Sequence, residues 1–257
     1  MPSSPSIALV ALTDRVLPDT ESVLAELARV APGDPSPRLV SRTANAFTIA
    51  WPDEATANVT LVDKPIPWSR LEGPCATAWY WPEAADALKP HTDHLFLTLI
   101  DEHSPALDKS FRLTQLAIAA AAASPAAGVV WGASGAVHEP AAFADLALRS
   151  SRSDLPLHLW VDFRVYQRDD QQSFGFFTTG MEALGRRELE APAYHGDPQQ
   201  LIAAAYNIAH YVLERDAVLK DAEVIGLPDE SQVTVREDRS LIDPEQEVFR
   251  LEFETAG

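Results

Sequence analysis

Apolar residues in the first half of the chain recur at the spacings of short strands and amphipathic helices. Residues 7–12 form a continuous apolar run, which is typical of a buried strand. Asp19 precedes a segment in which the apolar residues Val23, Leu24, Leu27 and Val30 share one helical face, which predicts a capped helix. The same patterns predict strands at residues 47–51, 59–61 and 95–100 and a short helix at residues 82–88.

The second half shows a similar succession of elements. Residues 157–166 alternate strictly between apolar and polar positions, which predicts one long strand. Asp197 and Pro198 predict a helix start, because an aspartate caps a helix and a proline fits its first turn. The other predicted elements are helices at residues 109–123 and 140–148 and strands at residues 129–131, 174–179, 187–190, 218–225, 233–235 and 248–253.

Both parts of the chain fit the order β-α-β-β-α-β, which is the order of a split βαβ or ferredoxin-like unit. The predicted fold class is therefore α+β, with two tandem ferredoxin-like halves packed together. The first predicted half covers residues 1–125. The second covers residues 126–257 and includes the acidic strands near the C-terminus. One integrated domain is the alternative to this division.

Charge narrows the classes of function. The formal net charge is −18, and residues 214–257 alone hold 13 acidic and 5 basic side chains, a net charge of −8. A negative surface repels nucleic acid phosphates and anionic lipid, so we expect neither nucleic acid nor a membrane as partner. The single cysteine, Cys75, cannot form an internal disulfide, and no apolar run is long enough to span a bilayer. We therefore expect a cytoplasmic protein.

The densest group of aromatic residues lies in residues 73–99. Trp79, Tyr80 and Trp81 are consecutive there, so their side chains cannot all point into one core. One interpretation is a recognition pocket, because aromatic walls with a few polar groups are typical of ligand sites. The other interpretation is a packing contact between the two halves.

Several residues have the chemistry of a metal or catalytic site. His91 and His94, with Glu83 upstream, are ligand types for zinc, although a structural role fits this proline-bounded loop better. Ser134 lies in a Gly-Ala-Ser-Gly turn, whose second glycine comes one position too early for a hydrolase elbow. Cys75 would need a neighbouring base to act as a nucleophile.

Carboxylates form a second candidate group at residues 180–190. Glu182 and Glu188 lie close in sequence, and paired carboxylates can transfer protons or hold a cation. Arg186 and Arg187 lie beside them and favour local ion pairs instead. The sequence has no phosphate loop and no dinucleotide fingerprint, so we expect no cofactor.

Six segments together resemble an uncharacterised bacterial family that is grouped only as a domain of unknown function. The resemblance covers residues 67–226, and its tryptophan-rich motif is the most specific part. It implies a bacterial cytoplasmic protein, with a link to toxin-immunity or stress-related loci, but it carries no activity, cofactor or catalytic residue. The segments are residues 75–84 (CATAWYWPEA), His91 with residues 94–97 (HLFL), and residues 128–135, 155–160, 180–190 and 206–211.

These observations favour a non-enzymatic binding or interaction protein with a cationic partner, either a basic protein, as for an immunity protein, or a small molecule. A hydrolase or metal-dependent enzyme that uses the same cleft is the alternative, and a structural oligomer is a third interpretation. The sequence leaves the oligomeric state open. The predicted cleft between the halves is walled by Trp79, Trp81 and Trp131 near Tyr80, with Glu83, His94, Glu182 and Glu188 as its polar groups.

Overall fold

The computed structural model describes residues 6–227 and 232–253. The chain divides into two compact units, Met1–Ser150 and Ser151–Gly257. Helices and strands are both abundant in the described residues, so the predicted α+β class is confirmed. No helix in the described ranges combines the length and apolar character that crossing a membrane requires.

The strands in the described part of the first unit are β1 (Ser6–Leu12), β2 (Arg38–Arg42), β3 (Ala46–Ala50), β4 (Thr56–Val62), β5 (Asp93–Ile100), β6 (Ala126–Trp131) and β7 (Val137–His138). They form one antiparallel sheet with the strand order β2-β3-β4-β5-β1-β6-β7. Its helices are α1 (Thr20–Val30), α2 (Trp68–Thr77), α3 (Ala84–Leu88), α4 (Ala106–Ala122) and α5 (Pro140–Arg149).

Helices cover this sheet because its central strands are apolar on both sides. In β1, Val10 and Ala11 are both fully buried although successive side chains point to opposite faces. Ala11 packs in one cluster with Leu71 of α2, Trp81 and Leu88 of α3. Helix α4 packs against β1, β5 and β6, and α1 packs on α4. The central strands are therefore enclosed between two helical layers.

The elements in the described part of the second unit are α6 (Leu157–Trp160), β8 (Asp162–Gln167), β9 (Phe174–Thr179), a 3-10 turn (Glu182–Leu184), β10 (Leu189–Tyr194), α7 (Pro198–Glu214), β11 (Val224–Gly226), β12 (Gln232–Arg239) and β13 (Glu247–Phe253). The strands form a mixed sheet with the order β11-β12-β13-β10-β9-β8, in which β10 and β13 are parallel and the other pairs are antiparallel. Helix α7 packs against β8 and β10.

The two ferredoxin-like halves are not confirmed. Strand β1 lies between β5 and β6, and β6 belongs to the segment that the sequence analysis assigned to the second half. The pairing of β6 with β1 is favoured by burial. Val129 and Val130 point to opposite faces of the sheet and both are buried, so β6 extends the enclosed part of the sheet. The boundary between the compact units in the chain lies after Ser150, and the boundary predicted from the sequence lies after Pro125.

Two predicted strands of the second unit are shorter than expected. Leu157–Trp160 forms one helical turn after Pro156, and only then does β8 begin. Leu157, Leu159 and Trp160 are all buried in that turn. The apolar residues at positions 157 and 159 therefore have the alternating spacing of a strand although they belong to a helical turn. Residues 218–225 were predicted as a strand, but only β11 forms, because Ala222 has a positive φ of 62° that interrupts extended backbone.

Two elements of the first unit carry little sequence signal. All five residues of β2 are exposed, so its strand pairs with β3 at the sheet edge without a buried face. Helix α2 contains Gly73 and Pro74 and has no side-chain cap, and these are features that normally argue against a helix. Packing of Leu71 and Cys75 in the core holds this helix in place.

We predict that Gly132→Ala lowers the free energy of unfolding by about 1–3 kcal/mol, a typical cost of overpacking. The backbone N–H of Gly132 donates to the carbonyl of Ile7, and an added Cβ would lie 2.5 Å from that same oxygen. Urea denaturation followed by circular dichroism measures the change. Gly226→Ala is the matched control, because a Cβ there meets no atom within 4 Å. Equal stabilities of the two variants would contradict this packing.

Candidate functional site

The three consecutive aromatic residues separate into two exposed rings and one buried ring. Trp79 is 67% exposed and Tyr80 is 43% exposed, whereas Trp81 is only 7% exposed. A tight turn follows α2, in which the N–H of Trp81 donates to the carbonyl of Ala78 at 2.9 Å. This turn directs Trp81 into the cluster beneath α2 and α3 and leaves the two preceding rings at the surface.

A continuous row of rings connects this surface to the core of the first unit. Trp79 meets Tyr80 edge-on with ring centroids 5.7 Å apart, and Tyr80 stacks on His138 at 5.5 Å. His138 contacts Phe143 at 5.4 Å, and Phe143 contacts Trp131 at 6.4 Å. Because Phe143 and Trp131 are buried, the exposed pair rests on a packed base. Such ring contacts stabilise by about 0.5–1.5 kcal/mol each beyond burial.

An open groove of about 460 Å³ lies beside Trp79, between α2 and α3. Trp68 and Trp79 are its aromatic walls, and Glu72, an exposed residue of α2, also lines it. The ammonium of Lys89 lies 5.3 Å from the ring centroid of Trp68, a cation–π distance. The groove is lined by Trp68, Glu72, Cys75, Ala76, Ala78, Trp79, Pro82 and Ala85.

The two histidines that are candidate metal ligands form hydrogen bonds with backbone groups. Nε2 of His91 accepts a hydrogen bond from the N–H of Ile66 at 2.7 Å, and its Nδ1–H donates to the carbonyl of Leu88. Nδ1–H of His94 donates to the carbonyl of Lys64 at 2.8 Å. His91 therefore has no ring nitrogen left for a metal. Across residues 6–227 and 232–253, no group of three or more histidine, cysteine or acidic residues is arranged to hold a metal ion.

The two candidate nucleophiles lie in environments that do not activate them. Burial raises the pKa of the Cys75 thiol, and the nearby Lys89 ammonium offsets this only in part. A raised thiol pKa disfavours the thiolate, which is the reactive form. Ser134 lies in the turn between β6 and β7, and its hydroxyl accepts a hydrogen bond from the N–H of Ala136 at 3.3 Å. That contact is typical of a turn.

The candidate carboxylate Glu188 organises a turn of the second unit. It is only 5% exposed, and it accepts hydrogen bonds from the hydroxyl of Thr178 at 2.7 Å and from the N–H groups of Gly180 at 2.8 Å and Glu182 at 3.2 Å. Burial raises the pKa of the Glu188 carboxyl, and these hydrogen bonds partly offset that increase. The carboxylate of Glu190 likewise accepts hydrogen bonds from the hydroxyl of Ser240 and from the backbone N–H of Leu241.

The structure brings together only part of the predicted cleft. Trp79 and Tyr80 lie at one surface of the first unit, and Glu83 is exposed at the start of α3. Trp81, Trp131 and His94 are buried in the first unit, and Glu182 and Glu188 belong to the second unit.

Sequence reasoning missed the groove residues Trp68 and Glu72. These residues and Ala76 follow one another at intervals of four, which places them on one face of a helix. This helical spacing was the available signal. Gly73 and Pro74 lie within the same segment and argue against a helix there, because both residues are unfavourable inside a helix.

We predict that Glu188→Ala lowers the free energy of unfolding by about 3 kcal/mol, because buried donors lose their acceptor. Glu188→Gln keeps one acceptor oxygen and is expected to cost less. Glu182→Ala is the matched control, since the exposed Glu182 side chain can be removed while its backbone N–H remains. Urea denaturation of the three variants measures the order. A loss for Glu182→Ala equal to that for Glu188→Ala would refute this role.

We predict that the contribution of His94 to stability falls as the pH is lowered from 7.5 to 5.5. Burial lowers the pKa of His94 from its ordinary value of 6.5, so the folded state binds this proton less tightly than the unfolded chain does. The contribution is complete above pH 6.5 and is lost as the pH falls below that value. Urea denaturation at both pH values measures it.

His94→Asn tests the source of this dependence. The asparagine amide retains a donor for the Lys64 carbonyl, so the pH dependence decreases while the fold is kept. It does not vanish, because burial also lowers the pKa of His158. His103→Asn replaces an exposed histidine and controls for the type of substitution. A pH dependence that is the same in wild type and His94→Asn would contradict the prediction.

Comparison with known proteins finds one similar region. Residues 177–252 match a family described as a domain of unknown function, DUF4261. This region runs from within β9 to within β13 and therefore lies in the second unit. Neither the curated proteins nor the solved structures gave a match. The chain thus contains a region similar to an uncharacterised family, and no function is carried over from it.

Proposed function

We propose that the protein is a binding protein whose groove between α2 and α3 receives arginine or lysine side chains of a basic partner protein. One observation carries the proposal: Trp79 is two-thirds exposed at the edge of a groove that also contains Trp68 and Glu72. A toxin of basic character, neutralised by an immunity-type protein, is one partner of this class.

The chemistry of the groove supports a cationic ligand. An indole face attracts a cation through its quadrupole, and this attraction is about 0.5–2 kcal/mol depending on desolvation. The carboxylate of Glu72 adds a direct charge interaction. Lys89 already lies over the ring of Trp68, so the chain itself supplies an example of the contact that we propose for a partner.

The charge of the whole chain supports the same class of partner. At a net charge of −18, the protein attracts cationic proteins over long range and accelerates their encounter at low salt. Screening shortens this attraction to about 10 Å at 0.1 M salt. We therefore expect binding to weaken as salt increases.

A cytoplasmic location remains part of the proposal, based on the single cysteine.

The alternative of a hydrolase or a metal-dependent enzyme has less support. Its best nucleophile, Cys75, has a thiol pKa raised by burial. Its best metal ligand, His91, has both ring nitrogens hydrogen-bonded to the backbone. The binding interpretation needs no rearrangement of these groups.

Titration calorimetry with a synthetic peptide of alternating glycine and arginine tests the proposal. The same peptide with citrulline in place of arginine is the neutral control, because citrulline keeps the shape and removes the charge. We predict binding of the arginine peptide alone, and weaker binding at 300 mM than at 20 mM salt. We predict that Trp79→Ala weakens binding by about 3- to 30-fold, the range expected from loss of a cation–π contact.

Tyr211→Ala is the control variant, because Tyr211 is an exposed aromatic residue of the second unit that does not line the groove. Equal binding of the arginine and citrulline peptides would rule out recognition of charge. Equal losses for Trp79→Ala and Tyr211→Ala would rule out the groove.

A further inference from the structure

A separate cavity of about 260 Å³ lies within the second unit, against the sheet and one side of α7. Its walls are mainly apolar and include Met181, Leu189, Val212, Leu219 and Phe249. Every residue that lines it falls within residues 177–252, the region similar to the uncharacterised family. The cavity therefore belongs to the part of the chain that is shared with other proteins.

Arg186 also lines this cavity, and its guanidinium is only partly satisfied. Nη1 donates to the carbonyl of Gly185 at 3.0 Å, and Nη2 pairs with the carboxylate of Asp216. Nε is buried and has no hydrogen-bond partner among the residues that the structure describes. A buried donor without an acceptor is unfavourable, and in native proteins such a group commonly marks a missing water, ion or ligand.

The neighbouring guanidinium, that of Arg187, is held by two carboxylates and an aromatic ring. It pairs with Glu237 at 3.1 Å and Glu247 at 2.9 Å, and it lies 5.1 Å from the ring centroid of Phe249. Glu237 lines the cavity too, but its carboxylate is held by Arg187. Among the described residues that line the cavity, only Arg186 has a buried side-chain donor without a hydrogen-bond partner.

Asp216 is a weakly held partner for Arg186. Its side chain is 92% exposed, so the ion pair is screened by water. A ligand carboxylate could take the same Nη2–H and also accept from the buried Nε–H. This side-on arrangement matches the parallel fork of a guanidinium to the two oxygens of a carboxylate, which is the strong geometry for such pairs.

We propose that this cavity binds a small apolar monocarboxylate, whose head pairs with Nε and Nη2 of Arg186 in place of Asp216. Its hydrocarbon tail contacts Met181, Leu189 and Phe249. A water molecule takes about 30 Å³ in the liquid, so the cavity volume corresponds to about nine waters and to a ligand of about that number of non-hydrogen atoms. A medium-chain acid such as octanoate has this size. The binding is noncovalent and reversible.

Titration calorimetry with octanoate tests the proposal, and octanol is the uncharged control of the same chain length. We expect octanoate to bind and octanol to bind at least about tenfold more weakly, because hydrogen bonds to a charged group are lost. Arg186→Gln should weaken octanoate binding by about tenfold or more for the same reason. Urea denaturation shows whether this variant is folded.

Asp216→Asn is the decisive variant. It removes a competing carboxylate without touching the cavity wall, and asparagine tolerates the positive φ of 51° at this position. We expect octanoate to bind about two- to fivefold more tightly, the effect of releasing one exposed ion pair. Absence of octanoate binding at millimolar concentration, equal binding of octanol, or weaker binding to Asp216→Asn would each overturn the proposal.

Discussion

The burial of Trp81 against β6 is the contact on which the candidate groove depends. Its indole reaches the backbone of Gly128, where an added Cβ would lie 3.1 Å from the ring and 2.7 Å from the side chain of Leu88. Gly128 thus provides the space in which Trp81 and α3 meet the sheet. Because Trp81 is anchored inward, the tight turn before it leaves Trp79 at the surface beside Trp68. A core contact therefore determines which aromatic residues are exposed at the surface.

The elements with strong local signals could be predicted from the sequence. The aspartate cap and proline before α7 specify its start, and the side chain of Asp197 accepts from the N–H of Gln199 as a capping residue does. The apolar run of β1 specifies a strand that is buried on both faces. In each case the residues that set the element lie within a few positions of one another, so no knowledge of tertiary contacts was needed.

The arrangement of those elements could not be predicted in the same way. Strand β6 follows α4 in the chain and pairs with β1. This pairing depends on the burial of Val129 and Val130 against residues that are distant in the sequence. The roles of the charged residues were equally hidden. In the sequence, Glu188 is a candidate for a catalytic carboxylate because it lies near Glu182. In the structure, its carboxylate oxygens accept hydrogen bonds from the Thr178 hydroxyl and from backbone N–H groups. Hydrogen-bond partners of this kind appear only once the turn is folded.

The two units differ in how they use charge. The second unit carries 21 acidic and 10 basic side chains, a net charge of −11, against −7 for the first unit. Part of its acidity is locally paired, as in the contacts of Arg187 with Glu237 and Glu247. The groove of the first unit instead combines Glu72 with indole faces. In the proposed function, the overall charge acts over long range, while contact at the groove depends on the aromatic walls.

Collisional quenching of tryptophan fluorescence measures the exposure of Trp79 in solution, because Trp79 is the most exposed of the six tryptophans. We predict one accessible component that caesium ions quench more strongly than iodide does. Trp79→Phe should abolish this component, and Glu72→Gln should reduce the preference for caesium. An accessible component that survives in Trp79→Phe would show that a different indole faces solvent, and the groove would then not be walled by an exposed Trp79.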